Sequence, residues 1–294
     1  MIPFTEIKNN KYYLTQRVGK ESIIHKELTD LEASDIQEAL RIFGEYIYCK
    51  RRISQIELNL NEFFQVINNT EKKLLDKPLK KISDFEIITI EINRVFDNFI
   101  ISLSTFIETI EGRLQRRYGE ESTKFKEFKS FQCSCYDGNF TYRFFYHLRN
   151  FSVHHDFSLH NIKMEYEYDV HKKIKSGELK VQFEKNHLLG NKKMRKKLAA
   201  DLKFYNDVFP VIPILRDFKA PLKSLTCKFL ELEFDYFYSA FMIFENFNPN
   251  EIIDFGLSIC NFDDKNIVWK TNYFPTDYII QFKNDLKSNL YKKA

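Results

Sequence analysis

Between Ser83 and Leu114 the chain reads SDFEIITIEINRVFDNFIISLSTFIETIEGRL, and this stretch decides the fold class. Its apolar residues Phe85, Ile88, Ile92, Val95, Phe99, Leu103, Phe106, Ile110 and Leu114 recur at steps of three and four. That period keeps one apolar stripe on one side for about eight turns, which is the pattern of a long amphipathic helix. Ser83 followed by Glu86 is a capping-box pair at its start, and Pro78 marks a break before it. Upstream, Ile36, Leu40, Phe43, Ile47, Ile56, Leu60, Phe63 and Ile67 keep the same steps after a Ser34/Gln37 pair, so a second long helix is expected to about Leu75. Two such helices joined at a short break are expected to pack as a long antiparallel hairpin. Arg113, Arg116 and Arg117 crowd the last turn of the second, where positive charge complements the carbonyl end of the helix dipole.

Outward from this hairpin the pattern weakens. Residues 1–30 are expected as an N-terminal extension with short strands at Tyr12–Leu14 and Ser22–Ile24, residues 31–160 as a helical core, and residues 161–294 as a mostly helical region packed on that core. The polar stretch Gly119–Ser134 reads as a connection, and Asp137, Gly138 and Asn139 as turn and cap residues before another helical run. Farther on, Leu179–Phe183 reads as a strand and Asn191–Val208 as a basic helix. Leu222–Phe247 reads as a helix after the breakers Pro210, Pro213 and Pro221, and Trp269–Phe274 as a strand before a short terminal helix. The expected class is mainly α, with a few short strands near the N-terminus and in the C-terminal part.

Composition narrows the function classes. With 44% hydrophobic and 29% charged residues the chain lies in the globular range and far from the signature of disorder. No run approaches the roughly 18 apolar residues of a membrane span, and the first residues lack a basic-then-apolar leader, so a cytoplasmic protein is expected. Five scattered cysteines are an odd number for a disulfide framework and suit a reducing compartment. The net charge is only +4, yet Lys192, Lys193, Arg195, Lys196 and Lys197 are bunched in a way that suits phosphate contacts.

The chemistry lies in Phe140–Asp156, FTYRFFYHLRNFSVHHD. Arg149 and Asn150 precede His154, and four of the seven histidines (His147, His154, His155, His160) lie in or just beyond this run. RNA cleavage needs a base for the 2′-hydroxyl proton, an acid for the leaving 5′-oxygen and positive charge on the phosphoryl oxygens. Histidine titrates in the range for both proton transfers, and arginine's planar fork suits a phosphate. Asparagine can orient either partner. Arg149, Asn150 and His154 therefore form a set that needs no metal or other cofactor. On a straight helix five residues place Arg149 and His154 about 140° apart. Either the helix bends or ends between them, or a second copy of the chain brings its own motif opposite the first.

From Glu91 to about Leu159 the sequence resembles the bacterial HEPN (higher eukaryote and prokaryote nucleotide-binding) families. Their signature is an arginine, a polar residue that is often asparagine, and a histidine a few positions on. Tyr142-Arg143-Phe144 leading to Leu148-Arg149-Asn150-Phe151 and His154 carries the resemblance, and Glu91–Arg94 and Ser104–Glu108 sit where those proteins carry a long packing helix. The resemblance implies a helical bundle, an active site completed by homodimerisation, and metal-independent RNase activity leaving 2′,3′-cyclic phosphate and 5′-hydroxyl ends. Such activity serves in toxin or antiphage defence, where an antitoxin or defence-system partner protein is expected. By the same resemblance Glu108 lines the site or holds Arg149, Tyr142 and Arg143 support it, and His155 is the reserve histidine.

Two other readings compete. A HEPN-like bundle without catalysis would serve as a nucleic-acid-binding or dimerisation module. A metal-dependent hydrolase built on His147, His154, His155, Asp156 and a cysteine is disfavoured, because no recognised ligand spacing such as H-E-x-x-H appears.

Overall fold

The computed structural model describes the chain except Met1, Phe4, Thr5, Asn9 and residues 79–80, 172–173, 248–256, 263–267 and 288–294. In chain order the elements are β1 (Tyr12–Val18), β2 (Glu21–Leu28), α1 (Asp30–Asp76), α2 (Ile82–Tyr118), α3 (Thr123–Gly138), α4 (Phe140–His154), β3 (Asn161–Tyr168) and β4 (Ile174–Glu184). They continue as α5 (Lys185–Gly190), α6 (Lys192–Leu202), β5 (Val208–Pro210), α7 (Val211–Leu232), α8 (Phe234–Phe247), β6 (Leu257–Phe262), β7 (Val268–Tyr273) and α9 (Thr276–Lys287). The class is mainly α with short antiparallel strands near the N-terminus and in the C-terminal part.

The chain divides into two compact units, Met1–Lys50 with Phe229–Ala294, and Arg51–Lys228. The divisions fall inside α1 and α7 rather than at residues 30 and 160. The first unit joins the two ends of the chain, because β1 pairs antiparallel with both β2 and β6 in a sheet of order β2-β1-β6-β7. Its core is aromatic: Phe43 meets Phe244 and Phe282 edge to face, and Tyr46 meets Phe237 and Phe282 the same way. Rings so arranged add ~0.5–1.5 kcal/mol per pair beyond their buried area. Tyr46 Oη and Lys50 Nζ both donate to Asp285 Oδ2, at 3.0 and 2.6 Å, so the lysine that opens the basic run Lys50–Arg52 serves packing.

In the second unit the hairpin has its expected sense. Phe63 packs on Phe96, Arg94 Nη2 reaches Glu62 at 3.1 Å, and Asn59 Nδ2 donates to the Asn98 carbonyl, so residue numbers on α1 rise as those on α2 fall. Every residue of the α2 stripe from Ile92 to Leu114 is buried. The helix starts differ from the capping pairs read from sequence. Thr29 and Glu32 form the reciprocal box on α1: Thr29 N–H donates to Glu32 Oε2 at 2.8 Å, and Glu32 N–H donates to Thr29 Oγ1 at 3.2 Å. At α2 the cap residue is Lys81, with no side-chain bond, so the 37-residue helix rests on its buried stripe instead of its cap.

Two further elements depart from the sequence reading. Gly119–Ser134 is not a connection, since α3 begins at Thr123 with the Ser122 hydroxyl accepting from the Phe125 N–H. Phe128 and Gln132 are its buried residues, too narrow a stripe to stand out among polar neighbours. Helix α7 continues past Pro221, which lies inside it. An interior proline costs about 3 kcal/mol. Ile214, Leu215, Phe218 and Leu225 are all buried on the same face, at ~1.5–3 kcal/mol each, and outweigh it.

The remaining sheet, order β3-β4-β5, is antiparallel. Gly177 on β4 pairs with Tyr166, and a Cβ there would lie 2.7 Å from Met164 Cε and 2.9 Å from Leu75 Cδ2. A side chain there would push aside the ends of Met164 and Leu75 and crowd the Glu165 carbonyl, so glycine eases the closure of this hairpin on the end of α1, where the Leu179 N–H donates to Glu71 Oε2 at 2.9 Å. Among the described residues no helix is long and apolar enough to cross a membrane.

Candidate functional site

Helix α4 is positioned from both ends. Asn139, the expected cap, accepts from the Tyr142 N–H at 2.9 Å and from the Thr141 hydroxyl at 2.7 Å. Near the other end the Ser152 hydroxyl donates to Asp97 Oδ1 of α2 at 2.5 Å. Just past the helix, Asn93 of α2, fully buried, both donates to the Leu159 carbonyl and accepts from the Leu159 N–H, each at 3.0 Å. A carboxamide clamped to both backbone groups of one residue in this way fixes the loop that follows the motif. The motif reading gives Asn93 no role, although it lies in the Glu91–Arg94 stretch and a polar residue wedged between Ile92 and Val95 is a signal, and it does not single out Asp97 at all.

One face of α4, carrying Phe144, Phe145, Leu148 and Phe151, is buried among the aromatic residues of the unit. Phe144 meets Phe183 edge to face, and Phe145 meets Phe99 and Phe218. At 100° per residue this leaves two shoulders: Tyr142, Tyr146 and Arg149 on one, His147 and His154 on the other, with Asn150 on the crest between. The helix continues through His154 without a break, and His155 caps its end. No hydrogen bond or ion pair among the described residues joins Arg149 to His154.

Each shoulder lines its own cavity. The first, about 170 Å³, holds Arg149 with Ser104, Glu108, Tyr142, Tyr146 and Asn150 against apolar residues of α2. Arg149 Nη1 donates to Asn150 Oδ1 at 3.2 Å, and Nη2 lies 3.5 Å from Glu108 Oε1. Glu108 is 64% exposed, so the ion pair is weak; the Arg149 Nε is buried with no partner among the described residues. A buried guanidinium donor left unpaired costs about 1–3 kcal/mol, which an incoming acceptor would recover. Tyr142 is buried at the back of this cavity, and burial pushes its hydroxyl up to about 12, so it stays protonated at neutral pH.

The second cavity, about 680 Å³, is lined by His147, Asn150, His154 and His155 from α4 and by Lys192, Lys193 and Lys196 from α6. It falls within the ~300–1,000 Å³ range of small-ligand sites. Both His154 and His155 are exposed. His147 differs, because its Nε2 lies 2.6 Å from the Tyr136 hydroxyl. Burial, then the charges of Lys197 and Arg143, hold His147 below the ordinary histidine range, leaving it neutral.

The basic run therefore divides. Lys192, Lys193 and Lys196 share the cavity with His154, Lys197 acts on His147 through charge, and Arg195 donates from Nε to the Leu189 carbonyl at 2.8 Å, closing the end of α5. The α6 start is set by Asn191, whose Oδ1 accepts from the Lys193 and Met194 N–H groups. Arg143 ties the two helices: its Nε and Nη2 reach the Asp201 carboxylate at 3.1 and 2.7 Å, and its Nη1 donates to the Tyr136 and Asp137 carbonyls. With every close acceptor internal, Arg143 is a positioning residue that holds α6 against α4.

A third group lies beyond the motif. Asp156 and His160, which follow α4, and His187 of α5 bring ligand-type atoms within 4.8 Å of one another. His187 was absent from the motif reading because 27 residues separate it from His160. Comparisons with models of known families, with curated proteins and with solved structures gave no match.

Proposed function

We propose that the chain is a HEPN-type endoribonuclease whose chemistry uses no metal, with Arg149, Asn150 and His154 as its catalytic set. The observation that carries this reading is the larger cavity, where His154 and Asn150 of the motif stand opposite Lys192, Lys193 and Lys196. A general acid or base beside three lysine ammonium groups and an amide suits a phosphodiester better than a neutral ligand. In this mechanism one histidine takes the 2′-hydroxyl proton as the 2′-oxygen attacks phosphorus. The bond from phosphorus to the 5′-oxygen breaks, and a second acid protonates that oxygen. Products are a 2′,3′-cyclic phosphate and a 5′-hydroxyl, and DNA, lacking the attacking hydroxyl, is spared.

Arg149 and His154 face different cavities of one chain, so the reading requires a homodimer whose second copy supplies the missing group. Two features support this. The Arg149 Nε has no partner among the described residues, and Ile101 and Tyr146, on α2 and α4, are exposed at 45% and 52%. The setting we infer is cytoplasmic toxin or antiphage defence, with RNA as substrate and an antitoxin or other defence protein as partner. The separation of Arg149 from His154 also favours the second reading, a non-catalytic nucleic-acid-binding or dimerisation module.

The test is cleavage of end-labelled RNA by wild type and His154→Ala, with the product ends identified. Cyclic-phosphate ends from wild type and none from the variant are expected. Equal cleavage by both removes His154 from the mechanism. RNA binding without cleavage by either protein puts the binding module first.

A further inference from the structure

The geometry points to a divalent transition-metal site, of the kind zinc occupies, formed by Asp156, His160 and His187. Independent of the nuclease reading, it would brace the larger cavity instead of taking part in cleavage. His160 Nε2 lies 3.2 Å from Asp156 Oδ2, and the His160 and His187 rings are in contact, tilted at 43° with centroids 3.6 Å apart. All three ligand-type atoms fall within 4.8 Å of one another. Around a tetrahedral zinc with bonds near 2.0–2.1 Å, neighbouring ligand atoms stand about 3.3 Å apart. The His160–Asp156 pair already has that spacing, and both residues are exposed, so their side chains can turn toward the third ligand.

A simple ion pair explains His160 and Asp156 but not His187. The His187 Nε2 is buried and has no hydrogen-bond partner among the described residues, while its ring lies against His160 and 5.3 Å from the Phe151 ring. A ring nitrogen in that position is costly to leave unpaired. A cation that accepts a lone pair from each imidazole and one from the carboxylate removes that cost and draws the two rings into one structure. Two nitrogens and one oxygen suit zinc and its first-row neighbours rather than calcium or magnesium, which take oxygen ligands. The fourth position would go to water.

The placement gives the ion a mechanical role. Asp156 and His160 lie on the loop directly after His154, and His187 lies on α5, which leads through Asn191 into α6. Metal binding would staple the C-terminal flank of the motif to the α5–α6 corner and so hold His154 and the α6 lysines at a fixed separation.

The full chain, stripped by chelator, is titrated with Co2+ alone while the visible absorption is followed, and then with Zn2+ against a chromogenic chelator. About one equivalent per chain is expected, with the intense visible bands of a cobalt ion in a low-coordinate nitrogen and oxygen site. His160→Gln and His187→Gln should each weaken Zn2+ binding by at least about tenfold, while His154→Gln and His25→Gln leave it unchanged. If His187→Gln does not fold, the exposed His160 variant decides alone. Absence of a stoichiometric ion, equal affinity in His160→Gln and wild type, or loss of binding in His154→Gln would each overturn the assignment. Because the readout is absorption and affinity, failure here leaves the product-end test of the nuclease untouched.

Discussion

The two shoulders of α4 belong to one helix yet offer opposite environments. On the Arg149 side the cavity is small and walled by Ile100, Leu103, Ile107, Phe145 and Phe218, and its charge is half-paired with Glu108. On the His154 side the cavity is about four times larger, open, and faced by three lysines. Among the described residues only Asn150 reaches both. One side is built to hold a cation in place and the other to receive an anion, and an active site that needs both must be completed from outside the chain.

The largest expected effect tests that division directly. Arg149→Ala and His154→Ala should each lower RNA cleavage by about 10²–10⁴-fold. In a symmetric dimer with composite sites, an equal mixture of the two exchanged variants recovers about a quarter of wild-type activity, because half the dimers carry one intact site. A mixture as inactive as its parts would show that both groups act from a single chain.

Next in size is the joint between the helices. Arg143→Ala removes the forked bond to Asp201, which is 25% exposed, and the two carbonyl bonds at the end of α3. A loss of about 1.5–3 kcal/mol in denaturant unfolding is expected. A loss below ~0.5 kcal/mol would mean that α6 is held by Met194, Leu198 and Leu202 alone.

Replacing Lys192, Lys193 and Lys196 together by glutamate should weaken RNA binding by about tenfold or more and flatten its salt dependence by about three phosphate contacts. The same exchange at Lys197 and Arg195, which do not line the cavity, should do less. Equal effects from both sets would reduce the cavity lysines to general surface charge.

The smallest effect is a pH dependence. His147 is held below its ordinary value, so the unfolded chain takes up a proton that the folded chain resists. Its contribution to stability is complete above about pH 6.5 and is lost as pH falls through the lower folded value. The melting temperature should therefore drop between pH 7 and pH 5, and His147→Gln should drop less over that window. An identical slope in the variant would assign the change to other groups, of which His187 is also held down, by burial and by the charge of His160.

Much of this was legible in the chain. The α2 stripe and the sense of the α1–α2 hairpin follow from spacing, because helix geometry converts sequence steps into faces, and the cap Asn139 follows from its residue type before a helical run. The start of α1 was missed although it is local, since the Thr29/Glu32 box lies just before the Ser34/Gln37 pair that was read instead. The helix α3 and the passage of α7 through Pro221 were not legible, because each rests on burial against residues far along the sequence. At the site, the separation of Arg149 from His154 by about 140° is a consequence of helix period alone.

What the sequence by itself determined is the set of groups and their angular order on α4: Arg149, Asn150 and His154, with a core face of Phe144, Leu148 and Phe151 between the shoulders. Which neighbours each shoulder meets was decided only in three dimensions. Arg143 and Asp201, 58 residues apart, bring the lysines of α6 to His154, and His187 arrives beside His160 on a separate helix. Local geometry is short-ranged and readable from spacing; the partners of a side chain are chosen by the packing of whole elements, and no periodicity in the chain records that choice.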